Sequence, residues 1–168
     1  FYALYDKACG KSNGQASVQS YSGGTWSFTG DPGFTSRPAT GARLGVSGGQ
    51  PSIVYSDLDA FLGISVMSYS GTWDYLGTNG FSQGGGSAPD IAFSGTTPVV
   101  AYQDNFNLVN GCTVQEYAGM NWTGVGGANL SEGVASGIRI EMWAGDAWVA
   151  YIDWANDNKI TVQSESGG

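Results

Sequence analysis

Histidine is absent from this 168-residue sequence, and lysine and arginine together number only six. Without histidine the chain lacks the commonest general base and metal ligand, and no Ser-His-Asp or Cys-His catalytic arrangement can form within it. The net charge of −8 leaves little basic surface for phosphate groups. Nucleic acid and anionic membrane surfaces are therefore not expected partners. No apolar run approaches the roughly 18 residues of a membrane-spanning helix.

Cysteine is also scarce, with Cys9 and Cys112 as the only two. Neither belongs to a Cys-x-x-Cys pair, so a structural zinc site is not supported. The repeat described below separates the two cysteines by about two units, which disfavours a disulfide within the chain. Free thiols or bridges to another chain fit better. The sequence begins with Phe1 and shows no signal peptide, so we expect a processed chain or a piece of a longer one.

Charged residues make up only 12% of the sequence, whereas glycine reaches 28 residues and aromatic residues 13%. Average soluble domains carry about 25% charged residues. No window of about 15 residues has helical apolar spacing without an interrupting glycine or proline. Short apolar runs separated by Gly, Ser, Asn and Asp instead predict many short strands joined by tight turns.

One phrase occurs three times, as "YSGGTWSFTG" from Tyr21, "YSGTWDYLG" from Tyr69 and "YAGMNWTGVG" from Tyr117. The tyrosines are 48 residues apart at both steps, and a second phrase ("IVYSD", "VVAYQD", "WVAYID") keeps a similar interval. Each unit holds four strand-like pieces, which we name A to D. Four antiparallel strands repeated at such an interval are typical of β-propeller blades.

The expected fold is an all-β propeller of four-stranded blades, with about three and a half blades in this chain. The strands follow the order BCD, ABCD, ABCD and ABC. They predict a partial blade over 1–30, complete blades over 31–77 and 78–126, and a partial blade over 127–168. The D strands carry Trp26, Trp73 and Trp122, which we expect to pack each sheet against its neighbour. Closing the propeller ring requires either the remainder of a longer propeller chain or self-association of several chains.

The phrases "TPVVAYQD", "ISVMSYSGTWDYLGTNGFSQG" and "WVAYIDWANDNKITVQ" resemble a family of extracellular tandem repeats. Its units run as Tyr-Val-Ala-Tyr-x-Asp, Tyr-x-Gly-x-x-Trp and Gly-Phe-Ser. The resemblance implies propeller blades in a secreted or cell-surface protein, without implying one activity. Propeller lectins, which bind sugars between blades, are a looser analogy at the level of fold.

Three aspartates recur at the end of each predicted B strand: Asp57, Asp104 and Asp153, with Asp6 as a possible fourth. Recurrence favours capping of the B–C turn by the carboxylate. Carboxylate pairs also hydrolyse glycosides in some propeller enzymes, but no sialidase-type Ser-x-Asp-x-Gly-x-x-Trp box is present. Oxygen-rich turns of this kind also bind calcium in some proteins. We predict no catalytic residues and no cofactor, with calcium as the weaker alternative.

Aromatic residues that do not belong to the packing phrases are better candidates for ligand binding. Trp154 directly follows Asp153, and Phe106 and Phe61 occupy similar turns in other units. Such rings stack on sugars or anchor protein partners, although Trp154 folding back on its own hairpin is the alternative. Trp143 and Trp148 bracket the last A–B turn and are expected to cover an end blade or contact another chain. The predicted ligand-binding residues are therefore Trp154, Asp153, Asp104, Asp57 and Phe106.

Two sequons, at Asn121 and Asn129, mark glycosylation sites if the chain is secreted from a eukaryotic cell. The low lysine content, the abundance of Ser, Thr, Gly and Asn, and the Trp-rich strands favour an extracellular or cell-surface location. We expect a non-enzymatic binding module that recognises a glycan or another surface ligand. The alternative is a structural subunit of an extracellular fibre, coat or adhesin.

Overall fold

The computed structural model describes residues 1–5, 14–106, 109–127 and 129–166. Within these residues the protein is all-β, with 14 strands in four antiparallel sheets. The first sheet contains β1, β2 and β3, over Tyr2–Tyr5, Ser17–Ser22 and Thr25–Phe28. The second contains β4 to β7, over Ala39–Ser47, Gln50–Asp57, Gly63–Tyr69 and Trp73–Tyr75.

The other two sheets repeat this plan. The third contains β8 to β11, over Gly86–Ser94, Thr97–Asp104, Cys112–Ala118 and Asn121–Gly124. The fourth contains β12, β13 and β14, over Ala135–Trp143, Asp146–Asp153 and Lys159–Ser166. Strand order in every sheet follows chain order. The predicted all-β class, built from sheets of three or four antiparallel strands, is confirmed.

Each complete A strand carries a β-bulge at the same place, where its pairing with the B strand shifts register. The bulges span Thr40–Arg43, Ser87–Asp90 and Ser136–Arg139. Each contains one residue with positive φ, at Gly41, Ala88 and Gly137. A bulge turns side chains and increases the local twist of a strand, so the recurring bulge gives the A strands a common bend.

Neighbouring sheets pack face to face, and β4, β8 and β12 lie side by side. We call the face that a sheet presents to the next sheet its trailing face, and the opposite one its leading face. Val54, Ile64 and Val66 on the trailing face of the second sheet meet Val100 and Tyr102 on the leading face of the third. Equivalent apolar layers join the first sheet to the second and the third to the fourth. The core therefore consists of three layers between four sheets.

Two tryptophans of the outermost strands stabilise the junctions between neighbouring sheets. Trp73 stacks on Phe34 of the preceding linker at 4.1 Å between ring centroids, and its Nε1 donates a hydrogen bond to the Thr29 carbonyl at 2.7 Å. Trp122 stacks on Phe81 at 4.1 Å and donates to the Leu76 carbonyl at 2.9 Å. The predicted packing role of these two tryptophans agrees with the structure.

Glycines make room for these tryptophans. A Cβ atom at Gly30 would lie 2.9 Å from the Trp73 ring, and at Gly77 it would lie 3.0 Å from the Tyr117 ring. Both glycines also adopt positive φ, at 75° and 76°, a conformation that other residues rarely adopt. The recurring glycine four residues after each tryptophan therefore serves the junction with the next sheet.

Trp26 departs from the prediction. It is half exposed and its ring contacts only Tyr21 among the described aromatic rings. The physical reason is its position on the leading face of the first sheet, which none of the other three sheets of the described residues covers. The three tryptophans therefore share one sequence phrase, but within the described residues a neighbouring linker covers Trp73 and Trp122 and does not cover Trp26.

Cys112 lies fully buried in the layer between the third and fourth sheets and is a free thiol. Burial raises its pKa from 9.0 to about 12, because a thiolate would lose its hydration there. Such a thiol is not accessible for a bridge to another chain. Cys9 and Asp6 lie outside the described residues. None of the helical turns within the described ranges is long and apolar enough to cross a membrane.

Candidate ligand-binding face

The three recurring aspartates end the second strand of their sheets, where the chain turns into the third strand. Asp57, Asp104 and Asp153 are the last residues of β5, β9 and β13. All three side chains are buried, with Asp57 only 2% exposed. The structure therefore places them at one equivalent position in three successive sheets, beneath the turns rather than at their surface.

One carboxylate oxygen of each aspartate caps its turn. Oδ1 of Asp57 accepts the backbone N–H of Asp59 at 3.0 Å. The same oxygen of Asp104 accepts from Phe106 N, and that of Asp153 from Ala155 N, both at 3.0 Å. Single turns of 3₁₀ helix follow at Leu58–Ala60 and Trp154–Asn156. This is the capping role expected of aspartate at a turn.

The second oxygen ties the turn to the following strand. Oδ2 of Asp57 accepts from the hydroxyls of Ser65 at 2.9 Å and Tyr75 at 3.0 Å. Oδ2 of Asp104 accepts from Thr113 at 3.3 Å, and Oδ2 of Asp153 accepts from Thr161 at 3.1 Å. These contacts satisfy the charge of carboxylates that water reaches poorly.

Tyrosines on the second strands share this environment. Burial is the main cause that raises the pKa of Tyr55, Tyr102 and Tyr151, and the nearby aspartates add to it. Their phenols therefore stay neutral, and the Tyr55 hydroxyl donates to Asp57 at 3.3 Å. Across the described ranges, no group of three or more Cys, Asp or Glu side chains is arranged to hold a metal ion.

The aromatic residues of these turns project into solvent. Phe61 is 94% exposed, Phe106 is 61% exposed and Trp154 is 59% exposed. The Nε1 of Trp154 donates a hydrogen bond to Ser136 Oγ, on the adjacent A strand of its own sheet, at 3.3 Å. The indole is thereby oriented with much of its surface free. No ring contact joins these three residues among the described aromatics.

The linkers between sheets return to this same end and support the turns. The Phe106 ring lies so close to Gly84 that a side chain there would clash, and Gly85 lies near the Phe61 carbonyl. Gly133 is similarly close to Ala155. At the first junction Arg37 pairs with Asp59 at 2.9 Å. We call this end of the sheets, formed by the B–C turns and the linkers, the turn face.

Crevices occur at the opposite end, where the A–B turns lie, and sequence reasoning did not predict them. One crevice of about 740 Å³ lies between the second and third sheets, and its lining includes Gln50, Asp74, Phe93 and Tyr117. Smaller crevices lie at the first and last junctions. Serines at 47, 52, 68 and 70 line the central crevice. The sequence signal available for it was the pair of serines, Ser52 and Ser68, that face each other on β5 and β6.

The two sequons have different surroundings. Asn121 is exposed at the start of β11. Asn129 is half-buried and has a φ of 62°, which matches the positive φ of Gly33 and Gly80 at the same place in the repeat. The hydroxyl of Ser131 accepts from Cys112 N at 2.9 Å and donates to the Gly133 carbonyl at 2.7 Å. Asn129 and Ser131 therefore also serve the packing of the repeat.

Comparison with known proteins shows a likeness in fold alone. Neither a protein-family model nor a curated protein matches the sequence. A point mutant of Aleuria aurantia lectin, in structures with Fucα1-6GlcNAc and with α-methyl-L-fucoside, matches 93% of this chain at 19% identity and a TM-score of 0.54. This chain spans 58% of the lectin chain in the first structure and 57% in the second.

Proposed function

We propose that this chain is a carbohydrate-binding module and that its ligand binds on the turn face. The observation that carries the proposal is the exposure of Phe61, Phe106 and Trp154 at equivalent turns of three successive sheets. None of these rings belongs to the apolar layers between sheets. Packing between the sheets therefore does not account for these rings, which supports a role for them in ligand binding.

Aromatic rings suit sugars because a pyranose has an apolar face that stacks on an indole or phenyl ring. Trp154 is the strongest candidate, since the hydrogen bond to Ser136 fixes its orientation. Phe106 provides a second platform, supported by the linker at Gly84. Asp57, Asp104 and Asp153 contribute by holding the shape of the turns, because their buried carboxylates are engaged by backbone N–H groups and hydroxyls.

The fold similarity supports a lectin-like role, since the similar structures are of a lectin with bound fucosides. α-Methyl-L-fucoside is therefore the first probe to test. The proposal includes a non-enzymatic role, an extracellular or cell-surface location and glycosylation at Asn121 and Asn129. We further propose that the sheets are blades of a β-propeller, two complete and two partial. The side-by-side packing of β4, β8 and β12 supports that arrangement.

The experiment is a glycan array followed by calorimetric titration of the best ligand, with α-methyl-L-fucoside included. Trp154→Ala should weaken binding at least about tenfold, or ~1.4 kcal/mol, as expected for a central aromatic contact. Trp143→Ala is the matched control, because Trp143 is a similarly exposed tryptophan of the same sheet at the opposite end. It should bind like the parent protein.

A folded chain that binds no glycan would contradict the proposal and favour the structural-subunit alternative. An Asp74→Asn variant separates the two candidate sites, since Asp74 lines the central crevice and is exposed. If Asp74→Asn abolished binding while Trp154→Ala left it unchanged, the sugar site would lie between sheets instead of on the turn face.

A further inference from the structure

The trailing face of the fourth sheet is apolar and uncovered. Ile160 is 75% exposed and Val162 is 58% exposed. The equivalent residues of the second sheet, Ile64 and Val66, are 0% and 1% exposed because the third sheet covers them. The same face is thus buried three times within the chain and open once.

This open face is more apolar than its buried equivalents. Trp148 and Ile152 of the fourth sheet are equivalent in position to Ser52 and Ser56 of the second sheet. Trp148 and Ile152 are both exposed, and they lie on the same side of the sheet as Ile160. Contiguous apolar surface of this kind on a soluble protein typically marks a contact with another protein.

Within the part of the chain that the structure describes, the leading face of the first sheet is exposed as well, and it is aromatic. Tyr21, Trp26 and Phe28 share one side of the β2–β3 hairpin, and all three are exposed. The equivalent Trp73 of the second sheet is covered because it stacks on Phe34. Among the described residues, Trp26 has no hydrogen-bond partner for its Nε1, whereas Trp73 and Trp122 each have a carbonyl acceptor.

The three junctions between sheets within the chain show which kind of surface packs against each of these two faces. Each joins the trailing face of one sheet to the leading face of the next. Among the described residues, one trailing face is open, on the fourth sheet, and one leading face is open, on the first. A second copy of the chain therefore offers a leading face to the open trailing face, and a trailing face to the open leading face.

We propose that copies of this chain associate head to tail, with the trailing face of one fourth sheet against the leading face of another first sheet. The interface is heterologous, since different surfaces of the two copies meet, and such contacts close into a ring when the rotation between copies permits. The inference does not depend on carbohydrate binding. It identifies the exposed residues Ile160, Val162 and Trp26 as interface residues.

The first measurement is the mass of the full 168-residue chain by light scattering across a concentration series. We expect at least twice the chain mass of 17.4 kDa. Ile160→Lys should reduce the mass to one chain, because a lysine on an exposed edge strand is tolerated in the fold but opposes association. Met120→Lys is the matched control in an exposed turn away from both faces, and it should associate like the parent.

Mixing variants tests the head-to-tail arrangement. Ile160→Lys keeps an intact leading face, and Trp26→Lys keeps an intact trailing face. Each should be a single chain alone, and a mixture should give a one-to-one pair. Phe28→Lys replaces Trp26→Lys if that variant does not fold. A parent protein that stays a single chain at every concentration would overturn the proposal, and so would a mixture that forms no pair.

Discussion

At the scale of single residues, the aspartates at the ends of β5, β9 and β13 hold equivalent positions but make different numbers of contacts. Asp57 accepts from one backbone N–H and from the hydroxyls of Ser65, Tyr75 and Tyr55. Asp153 accepts from Ala155 N and Thr161. Removing a carboxylate leaves its donors unpaired, and the cost rises with the number of donors left in the interior.

Asp57→Ala should therefore lower the free energy of unfolding by about 3 kcal/mol, and Asp153→Ala by about 2 kcal/mol. Denaturant unfolding monitored by circular dichroism measures both values. Asp74→Ala serves as the control with little change, because Asp74 is exposed and, among the described residues, its side chain accepts a hydrogen bond only from Thr72, two residues earlier. Equal losses for Asp57 and Asp74 would show that the buried network does not stabilise the turn.

The buried thiol of Cys112 predicts a dependence of stability on pH. Its pKa is raised to about 12 in the folded chain from 9.0, so the unfolded chain releases the thiol proton first as pH rises. The stabilising contribution is complete below about pH 9 and is lost as pH rises toward the folded pKa. Stability should consequently fall between about pH 9 and about pH 12.

Cys112→Ala isolates this contribution, because the first sheet has Ala16 at the equivalent position. The variant should lose less stability than the parent between about pH 8 and about pH 10.5 in urea unfolding. The buried tyrosines also have raised pKa values, so both proteins should weaken in alkali. Parallel pH profiles for the two proteins would contradict a buried, neutral thiol at Cys112.

At the scale of elements, the junction between sheets depends on the tryptophan of each D strand. Trp122 stacks on Phe81, donates to the Leu76 carbonyl and lies against Gly77. These contacts join the outermost strand of the third sheet to the linker that follows the second. Truncating the ring removes the stacking, the hydrogen bond and a large buried surface together.

Trp122→Ala should cost about 3 to 5 kcal/mol of unfolding free energy, the range for large aromatic truncations in a core. Trp143→Ala should change it by less than about 0.5 kcal/mol, because Trp143 projects into solvent at an A–B turn. Thermal and urea unfolding of both variants provide the comparison. Similar costs for the two substitutions would argue against the junction as described.

The strands were predictable from the sequence because their residues recur with the same packing partners. Tyr69 and Tyr117 contact the tryptophans of their own sheets at nearly equal distances of 5.4 and 5.5 Å. The β-bulges were not predicted, since Ala88 takes a positive φ where the other two bulges have glycine. A residue of that type gives no local sign of a left-handed conformation.

The candidate site was only partly predictable for a related reason. Residues that recur in every unit are the ones that packing requires. Trp154 does not recur, so the repeat marks it as a residue that packing does not require. It does not report whether a neighbouring sheet covers a ring, which is why Trp26 and Trp73 look equivalent in sequence. The crevice between the second and third sheets depends on how two sheets meet, and it was missed because no single phrase encodes it.

At the scale of the whole molecule, four similar sheets pack in sequence, and each contacts its neighbours through one trailing and one leading face. The apolar layers and the Asp-capped turns together present three aromatic rings on one end of the molecule. In the function proposed here, the layers between sheets supply most of the stability and the exposed rings of the turns supply recognition. The exposed rings of the turn face can therefore vary with less effect on the fold than the buried aspartates beneath them.

The position of a bound sugar in a crystal structure tests this division most directly. The protein would be crystallised with the best ligand of the glycan array, or with α-methyl-L-fucoside. Our account predicts a sugar ring stacked on Trp154 or Phe106 at the turn face, with Asp153 and Asp104 still bonded to their turns. A sugar in the crevice lined by Gln50, or no sugar anywhere at saturating concentration, would contradict it.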